Sequence, residues 1–194
     1  FGDKLVIASS FSQEDVAVID IAWRVSRRFR VVTLDTGRLP EETYEVMEAV
    51  RRRYDGVVVE VFFPERAAVE ELVRIKGLHS FRNSVPDRKE CCRIRKVEPL
   101  ERALANAGAW ATGLRASQSV TRTALPAFDV DERGLVKLNP LWSFTDAELA
   151  KYVEVNNLPK NKLHALGYPS IGCAPCTRAV QAGEDQRAGR WWWE

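Results

Sequence analysis

Several things are scarce in this chain of 194 residues. No apolar run approaches the roughly 20 residues that cross a bilayer, so no membrane partner is expected. The formal net charge is only +2, far from the basic excess of a general nucleic-acid binder, so no nucleic-acid partner is expected either. Histidine occurs twice, at His79 and His164, without partners at metal-ligand spacing; each reads as a loop or packing residue. The loop Ser9-Ser10-Phe11-Ser12-Gln13-Glu14-Asp15 has no glycine, which excludes a P-loop and a dinucleotide fingerprint. There is no internal repeat, low-complexity tract or linker, so residues 1–194 read as a single domain. No secretory signal precedes the strand-like start at Phe1-Gly2-Asp3-Lys4-Leu5, and the expectation is a cytoplasmic protein with a native N-terminal piece outside these residues.

Cysteine is sparse too, and all four residues fall in two motifs: Lys89-Glu90-Cys91-Cys92-Arg93, and Gly172-Cys173-Ala174-Pro175-Cys176-Thr177. Two disulfides, one metal site or four buried thiols are the options. Without a secretory signal disulfides are disfavoured, and adjacent Cys91 and Cys92 would bridge each other only with strain. A single ligand set for a metal is the better reading. One tetrahedral zinc would need both neighbouring sulfurs in one small coordination sphere, whereas a four-iron cubane lets each thiolate take a different iron. Adjacency therefore favours the cluster. Arg88, Lys89, Arg93, Arg95 and Lys96 crowd the pair, and Arg187 and Arg190 crowd the chain end, which suits a small anion near the metal.

Patterning predicts strands alternating with helices. Lys4 to Ser9, Arg30 to Leu34, Val57 to Phe62, Trp110 to Arg115 and Val136 to Asn139 read as strands. Helices are expected after Asp15 with Val16, Ile19 and Trp23 inward, over Glu41 to Tyr54, from Pro64 through Arg74, from Cys92 to Asn106, and from Asp146 to Asn156 behind a Thr145 cap. The fourth would put Cys91 and Cys92 at its N-terminal turn, where backbone N–H groups favour thiolate, with Pro99 as a kink. Lys76 to Lys89 reads as irregular, and one short helix is expected beyond the C-x-x-C. The fold class is α/β, a parallel sheet with helices on both faces.

In such sheets ligands gather at the carboxyl ends of strands. Ser10 and Ser12 could bond an anion or a ribose, or simply cap the next helix. Gly37 reads as a positive-φ turn, with Thr36 or Arg38 in reach of a ligand or serving plain turn chemistry. Gly113 offers close backbone approach to a ring. Glu14 and Asp15, at a helix start, read as dipole partners. Trp191-Trp192-Trp193 needs something to pack on, either the domain itself or further chain.

Taken together, Ser9-Ser10-Phe11-Ser12, Leu34-Asp35-Thr36-Gly37-Arg38-Leu39, Lys89-Glu90-Cys91-Cys92-Arg93, Thr112-Gly113-Leu114-Arg115, Gln118-Ser119-Val120-Thr121-Arg122, Tyr168-Pro169-Ser170-Ile171-Gly172-Cys173-Ala174-Pro175-Cys176-Thr177-Arg178 and the run Gly183 to Glu194 resemble the assimilatory adenylyl-sulfate reductases. These are the cluster-containing branch of the phosphoadenylyl-sulfate reductase family. The resemblance covers nearly the whole chain. It implies a Rossmann-like fold related to the ATP pyrophosphatases (adenine nucleotide alpha-hydrolase-like) and one four-iron four-sulfur (4Fe-4S) cluster on Cys91, Cys92, Cys173 and Cys176. It also implies adenosine 5′-phosphosulfate as substrate. Substrate contacts would come from Ser12, the backbone of Leu34 and Gly113 at the adenine, and Lys96, Arg122, Arg187 and Arg190 around the phosphosulfate; Ser10, Thr36 and Arg38 join them as substrate-binding candidates on the loop readings above.

The reaction implied is attack of a cysteine thiolate on the substrate sulfur, with loss of AMP, followed by release of sulfite by thioredoxin. The family's nucleophile lies in a Glu-Cys-Gly-Leu-His segment after the tryptophan run, so no catalytic cysteine is expected before Glu194. The alternatives are a phosphoadenylyl-sulfate reductase, expected to lack the four cysteines; an adenylating enzyme, which would want a Ser-Gly-Gly-x-Asp-Ser loop; and a zinc-stabilised adenine-nucleotide binding module without chemistry. Homo-oligomerisation is left open.

Overall fold

The computed structural model describes residues 1–116 and 125–194. Along the chain follow β1 (Leu5–Ala8), α1 (Gln13–Val25), β2 (Arg30–Leu34), α2 (Glu41–Arg53), β3 (Val59–Phe62), α3 (Arg66–Lys76), α4 (Val85–Cys92), α5 (Glu98–Leu104), β4 (Ala109–Ala111), β5 (Phe128–Val130), β6 (Val136–Leu138) and α6 (Asp146–Val155). The strands form one sheet in the order β3-β2-β1-β4-β6-β5. β1 runs parallel to β2 and β4, β4 runs parallel to β6, and β5 is antiparallel to β6. This is the expected α/β class, a mostly parallel sheet flanked by helices. The order reverses at β1, whose neighbours are β2 and β4, so the switch point lies between the carboxyl ends of β1 and β4.

Two compact units are distinguished. The first comprises residues 1–33, 42–60 and 106–161. Its central strands β1, β2 and β4 are short, mainly apolar runs, as a sheet covered on both faces requires. Val6, Ile7, Val31, Val32, Ala109 and Ala111 are buried, together with Val16 and Ile19 of α1, Val50 of α2 and Leu149 and Val153 of α6. Each such Val, Leu or Ile contributes roughly 1.5–3 kcal/mol on burial. Thr145 and Glu148 close a reciprocal capping box at α6. Asp20 of α1 is buried in this core, where it accepts from the hydroxyls of Tyr54 at 3.0 Å and Tyr152 at 2.6 Å, and from Arg24 at 2.7 Å. Desolvation pushes its carboxyl up, but the hydrogen bonds from Tyr152, Arg24 and Tyr54 outweigh it, and the group lies below its ordinary range. Burial and the Asp20 carboxylate push Tyr152 up to about 12.

β5 was not expected, because three residues are too few to show a period. It pairs back on β6 through a turn in which Gly134 N–H donates to Asp131 O at 2.9 Å. Strand β4 is also shorter than its pattern, stopping at Ala111 and leaving Thr112 to Arg115 as loop.

The second unit comprises residues 34–41, 61–105 and 162–194. Two expectations are corrected in it. Cys91 and Cys92 end α4; they are not at a helix N-terminus. The helix starts seven residues before Cys92 at Val85 because Ser84 caps it, accepting from Asp87 N–H at 3.2 Å, and Pro86 presets the first turn. A π-turn follows over Arg93–Val97, with Glu98 N–H donating to Arg93 O, before α5 resumes. Pro99 lacks the N–H that would reach Arg95 O, so the ladder breaks there and the turn widens. The second correction lies beyond the C-x-x-C, where no helix forms among the described residues. The chain turns at Gly183 with φ 89°, and an antiparallel bridge pairs Thr177 with Arg190.

Candidate functional site

The first unit's site elements lie at the switch point. Phe11, buried, takes φ 58°, so the turn that glycine makes in phosphate loops is made here by a strained aromatic held in the core. Ser12 is the N-cap of α1, its hydroxyl accepting from Asp15 N–H at 3.3 Å. Ser10 donates from both N–H and O–H to Asp15 Oδ2, at 2.6 and 2.7 Å. Gly113 N–H donates to Asp15 Oδ1 at 3.1 Å. Desolvation pushes the Asp15 carboxyl up, against these hydrogen bonds. Beside it the buried Arg115 bridges Glu14 at 2.9 Å and Asp146 at 2.7 Å. Glu14 and Asp15 lie in the first turn of α1, as expected of helix-dipole partners, and they also cross-link α1 to the loop after β4. Gly113 is needed for the carboxylate and not for a ring alone: a Cβ there would lie 2.6 Å from Asp15 Oδ1 and from Glu14 Cβ. Arg122 lies outside the described residues.

The second unit gathers all four cysteines, none in a disulfide. Cys91 and Cys176 share an apolar cluster with Leu72, Phe81 and Ile94, against which Cys173, Trp191 and Trp193 pack. Burial and the neighbouring Cys173, Cys92 and Cys91 push the Cys176 thiol up to about 12. Burial also raises Cys91, with Arg38 and Arg95 pulling part of the way back. The C-x-x-C loop is rigidly held: Cys176 N–H donates to Cys173 O at 2.9 Å, and the Thr177 hydroxyl donates to Cys173 O at 2.9 Å while accepting from Gly172 N–H.

The loop after β2 packs on this centre. Thr36 is buried with its hydroxyl 3.1 Å from Cys173 Sγ, and Ala174 N–H donates to Arg38 O at 2.8 Å. Gly37 has φ 71°, the expected positive-φ turn. Leu34 ends β2, half-buried. Arg38 donates to Leu78 O at 2.6 Å with its guanidinium 5.0 Å from the Phe81 ring centre. Arg95, read only as part of a basic cluster, is buried and donates to Thr36 O at 2.6 Å, fixing the loop. Its Nε has no partner.

Arg190 lies over Gly172, where any Cβ would run into its guanidinium, and reaches Ser170 Oγ at 3.3 Å and Ile171 O at 3.2 Å. Its buried Nε is likewise without a partner, and desolvation, then Arg187, lower its pKa. Arg88, Arg187 and Arg190 all face the Trp191 ring, at 4.4, 6.0 and 5.2 Å from its centre. Arg88 also pairs with Glu194 through both Nε and Nη2. The tryptophan run thus packs on its own unit, Trp193 lying edge-on to Phe81 at 5.7 Å. Lys96 and Arg187 are exposed. His79 stacks edge-on to Phe81 and His164 bonds Tyr168 O, the packing roles expected of them.

Among the described residues no three His, Cys, Asp or Glu side chains are arranged around a single-ion position. The donor set nevertheless fits a multi-iron cluster. Four thiols converge without forming a bond, two of them buried where their anions repel one another, and unpaired buried guanidinium nitrogens lie in the same unit; an iron core would replace the thiol protons and separate the sulfurs more widely than one ion does.

The strand order and switch-point loops define an open, mostly parallel α/β protein of the doubly wound type. More narrowly, residues 4–179 match the phosphoadenosine phosphosulfate reductase domain, and the chain belongs to that family. It is 51% identical over 193 residues to the adenosine 5′-phosphosulfate reductase of Allochromatium vinosum, covering 99% of this chain and 75% of that protein. It is 50% identical to the enzyme of the same name from Burkholderia cepacia, covering 99% and 77%. Among solved structures, the phosphoadenylyl-sulfate reductase of Candida auris superimposes with a TM-score of 0.75 at 28% identity, covering 91% of this chain and 83% of that one.

Proposed function

We propose that the chain is an adenosine 5′-phosphosulfate reductase of sulfate assimilation, that residues 1–194 form its reductase domain, and that it acts in the cytoplasm with thioredoxin as reductant. Cys91, Cys92, Cys173 and Cys176 carry this reading: they share one centre in a chain half identical to proteins bearing that name. They would hold a 4Fe-4S cluster, which supplies fixed charge and structural anchoring when bound. With all four thiols committed, the nucleophile is a cysteine outside these residues.

That thiolate attacks the substrate sulfur; the S–S bond forms as the sulfur–oxygen bond to the phosphate breaks, and the electron pair leaves on AMP. One thioredoxin thiolate then attacks the enzyme cysteine sulfur, the sulfite leaves with the S–S electron pair, and the second thioredoxin thiol closes a disulfide that frees the enzyme thiol. Lys96, Arg122, Arg187 and Arg190 are the cations we assign to the phosphosulfate, because charge grows on the leaving phosphate. Arg38 and Thr36 support the cysteine centre, and Ser10, Ser12, Leu34 and Gly113 are assigned to the nucleotide through groups left after their internal bonds.

The test is anaerobic purification with metal and sulfide analysis and assay with thioredoxin. Absorbance near about 400 nm with about four iron and about four acid-labile sulfide per chain, and sulfite release from adenosine 5′-phosphosulfate, are expected. A colourless protein with one zinc would sink the reductase reading.

A further inference from the structure

At the carboxyl ends of β1 and β4, three donors converge on a carboxylate that belongs to the chain. Ser10 N–H and O–H lie 2.6 and 2.7 Å from Asp15 Oδ2, and Gly113 N–H lies 3.1 Å from Oδ1. Asp15 is 8% exposed. The bare Cα of Gly113 admits its carboxylate, since a Cβ there would lie 2.6 Å from Oδ1 and 2.9 Å from Asp15 N. The loop is closed on its other side by Glu14, paired through Arg115 with Asp146. The nearby cation is thus already shared by two carboxylates.

Loops of this kind, at this point of an open α/β sheet, bring N–H and hydroxyl groups onto phosphate oxygens. The same donor types are present here, but their anion is built in. A phosphate group and the Asp15 carboxylate would compete for the same three hydrogens, and two anions side by side in a buried site repel strongly. We infer that Asp15 is a specificity-determining residue, the resident anion of the switch-point loop, which excludes inorganic pyrophosphate and nucleoside triphosphates. This deepens the nucleotide-binding reading above and rests on it for its biological meaning, though its test does not use the reductase substrate.

The test is calorimetric titration of pyrophosphate, and separately ATP, into the full chain and into its Asp15→Ser and Asp15→Asn variants. The parent is expected to bind neither at millimolar concentration. Asp15→Ser removes the charge and leaves room, so pyrophosphate affinity should rise at least ~10-fold, with Asp15→Asn in between because its amide keeps one acceptor oxygen. Pyrophosphate or ATP binding to the parent as tightly as to Asp15→Ser overturns the inference, as does a folded variant with no gain. If a variant is unfolded alone, recovery of a cooperative thermal transition on adding pyrophosphate supports it, and no recovery in either variant overturns it. Sulfite release by the parent is measured separately, so the reductase assignment and the role of Asp15 can fail independently.

Discussion

Replacing Gly113 with alanine tests how tightly the two switch-point loops are joined. The new Cβ would lie 2.6 Å from Asp15 Oδ1, 2.6 Å from Glu14 Cβ and 2.9 Å from Asp15 N, all well inside van der Waals contact and two of them at the fixed start of α1. Either the loop after β4 recedes, stretching the 3.1 Å bond from Gly113 N–H to Asp15, or the helix start is pushed aside. A lost bond to a charged acceptor costs about 1.5–3 kcal/mol, and overpacking about 1–3 kcal/mol. Gly113 is not among the positive-φ glycines, so alanine suffers no backbone penalty there and gains about 0.4–1 kcal/mol through the unfolded state. The net expectation is a loss of about 2–5 kcal/mol. For a chain of this size that lowers Tm by about 2–4 °C per kcal/mol. Urea unfolding and thermal denaturation of Gly113→Ala measure it directly. A loss below about 1 kcal/mol with an unmoved Tm would show that the loops are not clamped as described, and would weaken the role given to Asp15.

Acid should act partly through Asp20. Its carboxyl is held below the ordinary range in the folded state, so its stabilising contribution is present above the unfolded value near about 4 and is lost as pH falls through the lower folded value. Tyr152→Phe removes one of its hydrogen bonds and should cost about 1.5–3 kcal/mol at pH 7, shrinking below about pH 4; a penalty unchanged between pH 7 and pH 3 in urea unfolding would remove Asp20 as its source. Lys96→Ala and Arg190→Ala should weaken adenosine 5′-phosphosulfate binding by roughly 10- to 150-fold each, while adenosine binding changes little. Calorimetry showing equal losses for both ligands would take these side chains away from the phosphosulfate.

Much of this protein was legible without coordinates. Apolar runs such as Arg30 to Leu34 stand out because a strand buried on both faces needs nothing else, and Thr145 with Glu148 marks a helix start by its own chemistry. The four cysteines stand out because they fall in two motifs, and the fold gathers both motifs into the second unit. The start of α4 carries its own local signal, Ser84 capping three residues before Asp87 with Pro86 between. What the sequence alone determined was therefore the alternation of elements, the grouping of the four cysteines and, through its motifs, the family. Only the tertiary structure decided that Asp15 binds Ser10 and Gly113, ninety-eight residues apart from the latter, and that Arg95 turns inward to hold Thr36 beside Cys173. Those contacts join side chains to distant backbone groups. A single acidic or basic residue looks the same in sequence whether it faces solvent or closes a buried hydrogen-bond network, and folding alone determines which.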